Sequence, residues 1–241
     1  TVISQHTTSS SARLRLLVAG SLLGVFVSIV PPALAGPRED ALARMDKAAV
    51  GFRGMTAGVR KITYTALIQE SAEESGTMTL FRPKPKDLRM LIDFTKPEPR
   101  AVAFQGKKVQ LYNPKLLLVQ EYDLGKQGGL VEQFLLLGFG TPGSELAKSY
   151  AIKHLGEETI HGVKTDHLDL TPNSAEALKA VRHIEIWVSQ ADGITVQQKV
   201  HQPSKDYLLI QYSDLKVNPA LTEESVRLKL PKGVKKETPQ K

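Results

Sequence analysis

His183 and Glu185 flank Ile184 in the alternating stretch His183-Ile184-Glu185-Ile186, so a strand turns both toward the same side. An imidazole and a carboxylate placed this way could supply two ligands to a zinc-class ion. A site also needs a third ligand and partners that orient the first two. The six histidines, His6, His154, His161, His167, His183 and His201, show no His-x-x-x-His or His-Glu-x-x-His spacing on a helix. No metal centre and no cofactor are therefore expected. Hydrolytic chemistry fares no better. The Gly-x-Ser-x-Gly turn of a serine hydrolase is absent, and the nearest sequence, Gly140-Thr141-Pro142-Gly143-Ser144, follows a helical segment rather than a strand. Asp166 and Asp169 fall on opposite faces of a strand, so they cannot form the close carboxylate pair of a glycosidase. A phosphate loop and a dinucleotide fingerprint are also missing. With no nucleophile, acid–base pair or phosphate cradle in place, the chain reads as a non-enzyme.

Composition narrows the field further. The 241 residues include no cysteine, which excludes a disulfide framework, a thiolate metal site, a cysteine nucleophile and a lipid-modified N-terminal cysteine. Charged residues at 24% beside 41% hydrophobic residues suit a folded body rather than a disordered chain. Near the start, Arg13 and Arg15 precede an uncharged, mostly apolar run of 15 residues, Leu16 to Val30. At about 1.5 Å per residue that run is short for a bilayer. Pro31-Pro32 breaks it, and Ala33-Leu34-Ala35 presents a small-x-small cleavage site. Residues 1–35 are expected to be a secretory signal peptide, with Gly36 as the first mature residue. Without them the net charge falls from +7 to +5. Part of the excess sits in a basic C-terminal tail from about residue 234, with Lys235, Lys236 and Lys241, expected to be solvated. No aromatic stripe or helix-turn-helix pattern accompanies it, so no nucleic acid is expected as a partner. Residues 36–241 contain neither an internal repeat nor a linker and are expected to form a single domain.

The elements that would position side chains follow from periodicity. Leu42, Met45, Ala49 and Phe52 recur at helical spacing, predicting an opening helix over 41–56. From there the period becomes two. Ile62, Tyr64, Ala66 and Ile68 alternate with Thr63, Thr65, Leu67 and Gln69, and Glu74-Ser75-Gly76 reads as a turn into a strand over 77–81. Strands are expected near 88–92, 101–104, 108–113, 116–122, 150–158, 163–170, 183–189, 194–201, 207–215 and 226–230, with Asp192-Gly193 as a hairpin turn. Residues 130–137 do not alternate and suit a short, very apolar helix. Further helices are expected over 141–148 and 174–181. About eleven strands with short connections make a mainly β (α+β) protein whose antiparallel sheet is long enough to curl. The apolar 130–137 segment then either plugs an ordinary core or covers an apolar sheet face as a lid.

Four segments, in order, resemble the periplasmic outer-membrane lipoprotein carriers, the LolA-like family. Gly76-Thr-Met-Thr-Leu-Phe-Arg82-Pro83 is similar to the family's Gly-x-x-x-x-x-Arg-Pro strand, and Gln105-Gly106-Lys107-Lys108-Val109-Gln110-Leu111-Tyr112-Asn113-Pro114 is similar to its Asp-Gly-Lys-x-Leu-Trp-x-Tyr-Asn-Pro hairpin. Leu168-Asp-Leu-Thr-Pro172, followed by Ile184-Glu-Ile-Trp187-Val188 and Asp192-Gly193, resembles a later hairpin. Leu230-Pro231-Lys232-Gly233-Val234 resembles the C-terminal ending. The resemblance implies an incomplete antiparallel β-barrel of about eleven strands, with helices forming a lid over an apolar cavity that receives lipoprotein acyl chains. It also implies that Arg82 latches barrel to lid by hydrogen bonds. On that reading Tyr64, Ile68, Met78, Leu80, Met90 and Ile92 are the candidate cavity lining, and Leu130, Phe134 and Leu137 the candidate lid residues. The implied partners are acylated lipoproteins, an inner-membrane lipoprotein-releasing ABC transporter and an outer-membrane acceptor, with the carrier itself a monomer in the periplasm. Alternatives are a general lipid- or glycolipid-binding periplasmic protein and an envelope sensor built on the same half-barrel.

Overall fold

The computed structural model describes residues 36–84, 87–125 and 137–239. The expected signal peptide, most of the expected 130–137 helix and the candidate lid residues Leu130 and Phe134 lie outside the described residues. Among those described, no helix is long and apolar enough to cross a membrane.

Helix α1 (Pro37–Ala49) starts with Pro in its first turn, carries Glu39 and Asp40 near its N-terminus, and ends with Lys47 in its last turn. This charge order complements the helix dipole. Ala41 and Met45, four residues apart, form its buried face. The helix is shorter than its apolar spacing predicted, because Gly51 takes φ +72° and turns the chain. Phe52 therefore reaches the core from a loop rather than from a helical face, and it is buried there.

Strands β1 (Gly54–Thr65) and β2 (Glu70–Lys84) form a long hairpin. Its turn comes at 66–69, where Gln69 has φ +56°, and the Ala66 amide donates to Asp206 Oδ1 at 2.7 Å. The expected turn at Glu74-Ser75-Gly76 instead lies inside β2. Gly76 is required there by close approach, since a Cβ would sit 2.0 Å from the Asp93 carbonyl oxygen on the next strand. β3 (Asp87–Lys96), β4 (Arg100–Gln105), β5 (Lys108–Asn113) and β6 (Leu118–Asp123) continue as a meander. Helix α2 (Gly143–Ser149) leads into β7 (Tyr150–Ile160) and β8 (Val163–Pro172). Helix α3 (Ala175–Ala180) is capped by Ser174, whose Oγ accepts from the Ala177 amide. β9 (His183–Ser189) and β10 (Thr195–His201) meet at the expected Asp192-Gly193 turn, and β11 (Tyr207–Val217) follows. No strand forms over 226–230. Glu223–Val226 is a single 3-10 turn, and the last strand is β12 (Lys235–Glu237), within the basic tail.

The twelve strands make one sheet in the order β12-β6-β5-β4-β3-β2-β1-β11-β10-β9-β8-β7. All pairings are antiparallel except that of β12 with β6. The edges, β7 and β12, are not paired with each other, so the barrel is incomplete. Cross-strand register defines the faces. The row Met55, Leu80, Met90, Phe104 and Val109 and the row Ala57, Met78, Ile92, Val102 and Leu111 lie on one side of β1–β5. On the other wing, Ile152, Leu170, Ile184, Val200 and Leu208 continue that side. This inner face carries both hydrophobic clusters; Ala41, Met45 and Leu146 from α1 and α2 pack on the second. The 3-10 turn packs instead on the outer face of β2 and β3, where Glu223 pairs with Arg89 at 3.0 Å and Val226 is buried.

Candidate functional site: the inner sheet face and its latch

Strand β2 shows the site's layout in one line. Its inward residues run Glu74, Gly76, Met78, Leu80, Arg82, an apolar centre between two charged ends. Met78, Leu80 and Met90 are buried in the first cluster, and Ile92 packs against it half-buried. These four candidate lining residues thus share the inner face. The structure places the other two elsewhere. Tyr64 is on the outer face, stacked on Tyr207 with ring centroids 4.9 Å apart, and Ile68 is 59% exposed in the β1–β2 turn. The alternation Ile62, Tyr64, Ala66, Ile68 has the phase opposite to Met55, Ala57, Val59, and a one-residue shift exchanges faces.

The inward positions that follow Val59 are Lys61 and Thr63, and they are polar for a reason visible across the strands. Lys61 Nζ lies 2.5 Å from Glu74 Oε2, and Arg100 donates through Nε and Nη2 to the same carboxylate. Both cations also lie over the Phe94 ring, at 5.4 and 4.6 Å. The hydrogen bonds from Arg100, helped by Lys61, outweigh burial and hold the Glu74 carboxyl at a pKa of about 2. The acid is ionised at any physiological pH and fixes one border of the apolar patch.

Arg82 forms the other border. Its Nη2 donates to the Phe52 carbonyl at 2.8 Å and its Nη1 to the Gly140 carbonyl at 3.2 Å, with the guanidinium 5.4 Å from the centre of the Phe52 ring. One side chain thus ties β2 both to the α1–β1 connection and to the segment before α2. That segment is pressed closely onto the sheet. Gly138 has φ +81°, and a Cβ there would come 1.8 Å from Thr195 Oγ1. Leu137 is buried in the second cluster, and its carbonyl accepts from the buried Gln198 Nε2 at 2.7 Å. Phe139 is buried edge-on against Tyr212, centroids 4.9 Å apart. Sequence reading missed Gln198, Thr195 and the Lys61–Glu74–Arg100 cluster. Each acquires its meaning from a residue on another strand or segment.

The outer face of β8–β10 carries a second polar cluster. Glu185 accepts from His167 Nε2 at 2.7 Å through one oxygen and contacts His201 Nε2 at 2.5 Å through the other. His183 Nδ1 bonds Asp169, and the His183 and His201 rings stack 4.1 Å apart. His167 stacks on Trp187 at 4.2 Å, and Glu158 contacts both His167 and the Trp187 indole nitrogen. Hydrogen bonding from His167 is the main cause of a Glu185 pKa near 2. Burial opposes protonation of His167, but Glu185 and Glu158 outweigh it and raise its pKa, whereas burial prevails at His201 and lowers its value. Asp166, by contrast, is turned to the other face, bonded to Arg44 and His154.

No family model and no curated protein matches the chain. Solved structures do. An uncharacterized conserved protein from Thermus thermophilus matches with a TM-score of 0.52 at 14% identity, over 83% of this chain and 98% of that one. A LolA superfamily protein from Nitrosomonas europaea matches with a TM-score of 0.39 at 13% identity, over 80% and 99% of the two chains. MucB, in the MucA/MucB complex of Pseudomonas aeruginosa, matches with a TM-score of 0.45 at 14% identity, over 80% of this chain and 62% of that one. The chain therefore spans less than two thirds of the MucB chain it matches. The likeness to the Thermus protein is one of fold. That fold is an open antiparallel half-barrel with helices against its inner face.

Proposed function

We propose that the chain is a non-enzymatic periplasmic carrier. It is exported with loss of residues 1–35, holds the acyl chains of lipoproteins against the inner face of its sheet, and moves them from inner to outer membrane. The observation that carries this reading is the inward side of β2, where Met78 and Leu80 lie between the Glu74 ion cluster and the Arg82 latch. Acyl chains need such an apolar surface. Each CH₂ transferred out of water contributes about 0.8 kcal/mol, so three chains of roughly sixteen carbons would cost tens of kcal/mol to leave exposed. Release requires the cover to move. Opening it means breaking the Arg82 hydrogen bonds, worth about 0.5–3 kcal/mol each, and parting the buried contacts of Leu137 and Phe139, which arriving acyl chains would replace with apolar contacts of their own. An inner-membrane releasing ABC transporter would load this carrier, and an outer-membrane acceptor would unload it, with the carrier acting as a monomer.

The test compares cargo with and without its lipid. Given a cognate transporter and ATP, the periplasmic form should solubilise a triacylated lipoprotein from membrane vesicles and leave the same protein lacking its acyl groups untouched. Equal recovery of both would overturn the carrier reading. Native mass spectrometry of what co-purifies separates it from general lipid binding, which would show free lipids or glycolipids in place of a lipoprotein.

A further inference from the structure

We propose that the outer face of β9 and β10 is a binding site for a zinc-class divalent transition metal, with His183, Glu185 and His201 as ligands and solvent completing the coordination. Strand register brings the three together. His183 and His201 are direct cross-strand partners, and Glu185 lies two residues along β9 on the same face. One donor atom from each falls within 4.8 Å of the others. A tetrahedral ion bound at about 2.0–2.2 Å separates its ligands by roughly 3.4 Å, so binding requires the stacked His183 and His201 rings to turn out of parallel until their lone pairs converge.

The donor set selects the ion. Two imidazoles and one carboxylate with an open position match zinc and its neighbours, whereas calcium and magnesium call for oxygen ligands throughout. The neighbouring groups do what a metal site asks of its surroundings. Asp169 engages His183 Nδ1, which leaves Nε2 of that ring for the ion. His167 holds one oxygen of Glu185, so the other is directed at His201 Nε2. With an ion in place, His201 adopts the Nδ1–H tautomer and Nε2 presents its lone pair, replacing the present contact with Glu185. Lys199 is the direct partner of Glu185, but its ammonium lies 4.5 Å from the centre of the Tyr207 ring. The three ligand side chains remain 16–27% exposed, which gives an ion a route in and water a coordination position.

The experiment uses the untagged full chain after treatment with a chelator. Titration with zinc chloride should show one ion per chain, and cobalt chloride should give the intense visible bands of a tetrahedral site. His183→Asn, Glu185→Gln and His201→Asn should each weaken zinc binding at least tenfold, with His161→Asn, in the β7–β8 turn, unchanged. Asp169→Asn should weaken it by roughly tenfold through loss of orientation. Should a ligand variant fail to fold, nitrogen NMR of the unmodified protein decides, because the ring nitrogens of His183 and His201 must shift on zinc addition. Unshifted rings, or folded variants that bind zinc as before, overturn the proposal.

Discussion

Arg82 holds two carbonyls from different segments with one planar group, so its removal acts on their relative position before it acts on the sheet. Replacing it by Leu keeps apolar contact with the Phe52 side chain but loses the donations to the Phe52 and Gly140 carbonyls. With bonds from a charged donor worth about 1.5–3 kcal/mol, amide exchange over 137–149 should accelerate roughly tenfold or more, while β1–β4 keep their protection. Arg82→Lys should recover only part of the loss, because an ammonium lacks the planar fork that serves both acceptors. Unchanged exchange in the Leu variant would show that Arg82 is not a latch. The same residue shows what type and position reveal. An Arg before Pro at a strand end was visible from sequence, but its acceptors are backbone atoms far along the chain, which no residue type announces. The third metal-ligand candidate, His201, was hidden likewise, because its pairing with His183 depends on register.

Among the elements, β12 has the least support of its own. It is three residues long, exposed, and attached by parallel pairing of Lys235–Glu237 to Leu118–Gln120. The lysines that suggested a solvated tail are solvated, yet their backbone covers the edge of β6 with charge, a familiar guard against edge-to-edge association. A chain ending at Leu230 should keep its far-ultraviolet spectrum and lose no more than about 1 kcal/mol of stability. It should associate more readily as concentration rises, measured by light scattering. A truncated chain that stays monomeric would rule out the guarding role. Element boundaries were the least legible part of the sequence. The opening helix and the first hairpin were both misplaced at their ends, because Gly51 and Gln69 turn the chain where apolar spacing alone continued.

For the whole molecule, β1 to β11 could be read from the period of two, since alternation is a local property, whereas the strand expected over 226–230 does not form and β12 was not expected. Which set of alternating residues faces inward could not be read. Ile62 and Tyr64 looked like core and lie outside, whereas Lys61 lies inside because the Glu74 carboxylate, shared with Arg100, pairs with it there. That cluster makes stability depend on pH. Glu74 has a folded pKa near 2 against an ordinary value of 4.5, so its contribution is complete above pH 4.5 and fades as the pH falls toward 2. After allowance for solvent screening this amounts to roughly 1–2 kcal/mol. Arg100→Leu should therefore lower the urea midpoint at pH 6, and the gap from the unmodified protein should narrow by pH 2.5. A gap that stays constant with pH would assign the effect to lost packing on Phe94 instead.

The seam between β1 and β11 joins residues 54–65 to residues 207–217. Apart from β12, the strands of each wing are neighbours in sequence, but the centre of the sheet closes only when nearly the whole chain is available. Long-range pairing of this kind slows folding. During synthesis, the nascent protein carries an N-terminal wing whose innermost strand has one edge open until its partner emerges from the ribosome. The complete sheet is therefore the last arrangement to exist.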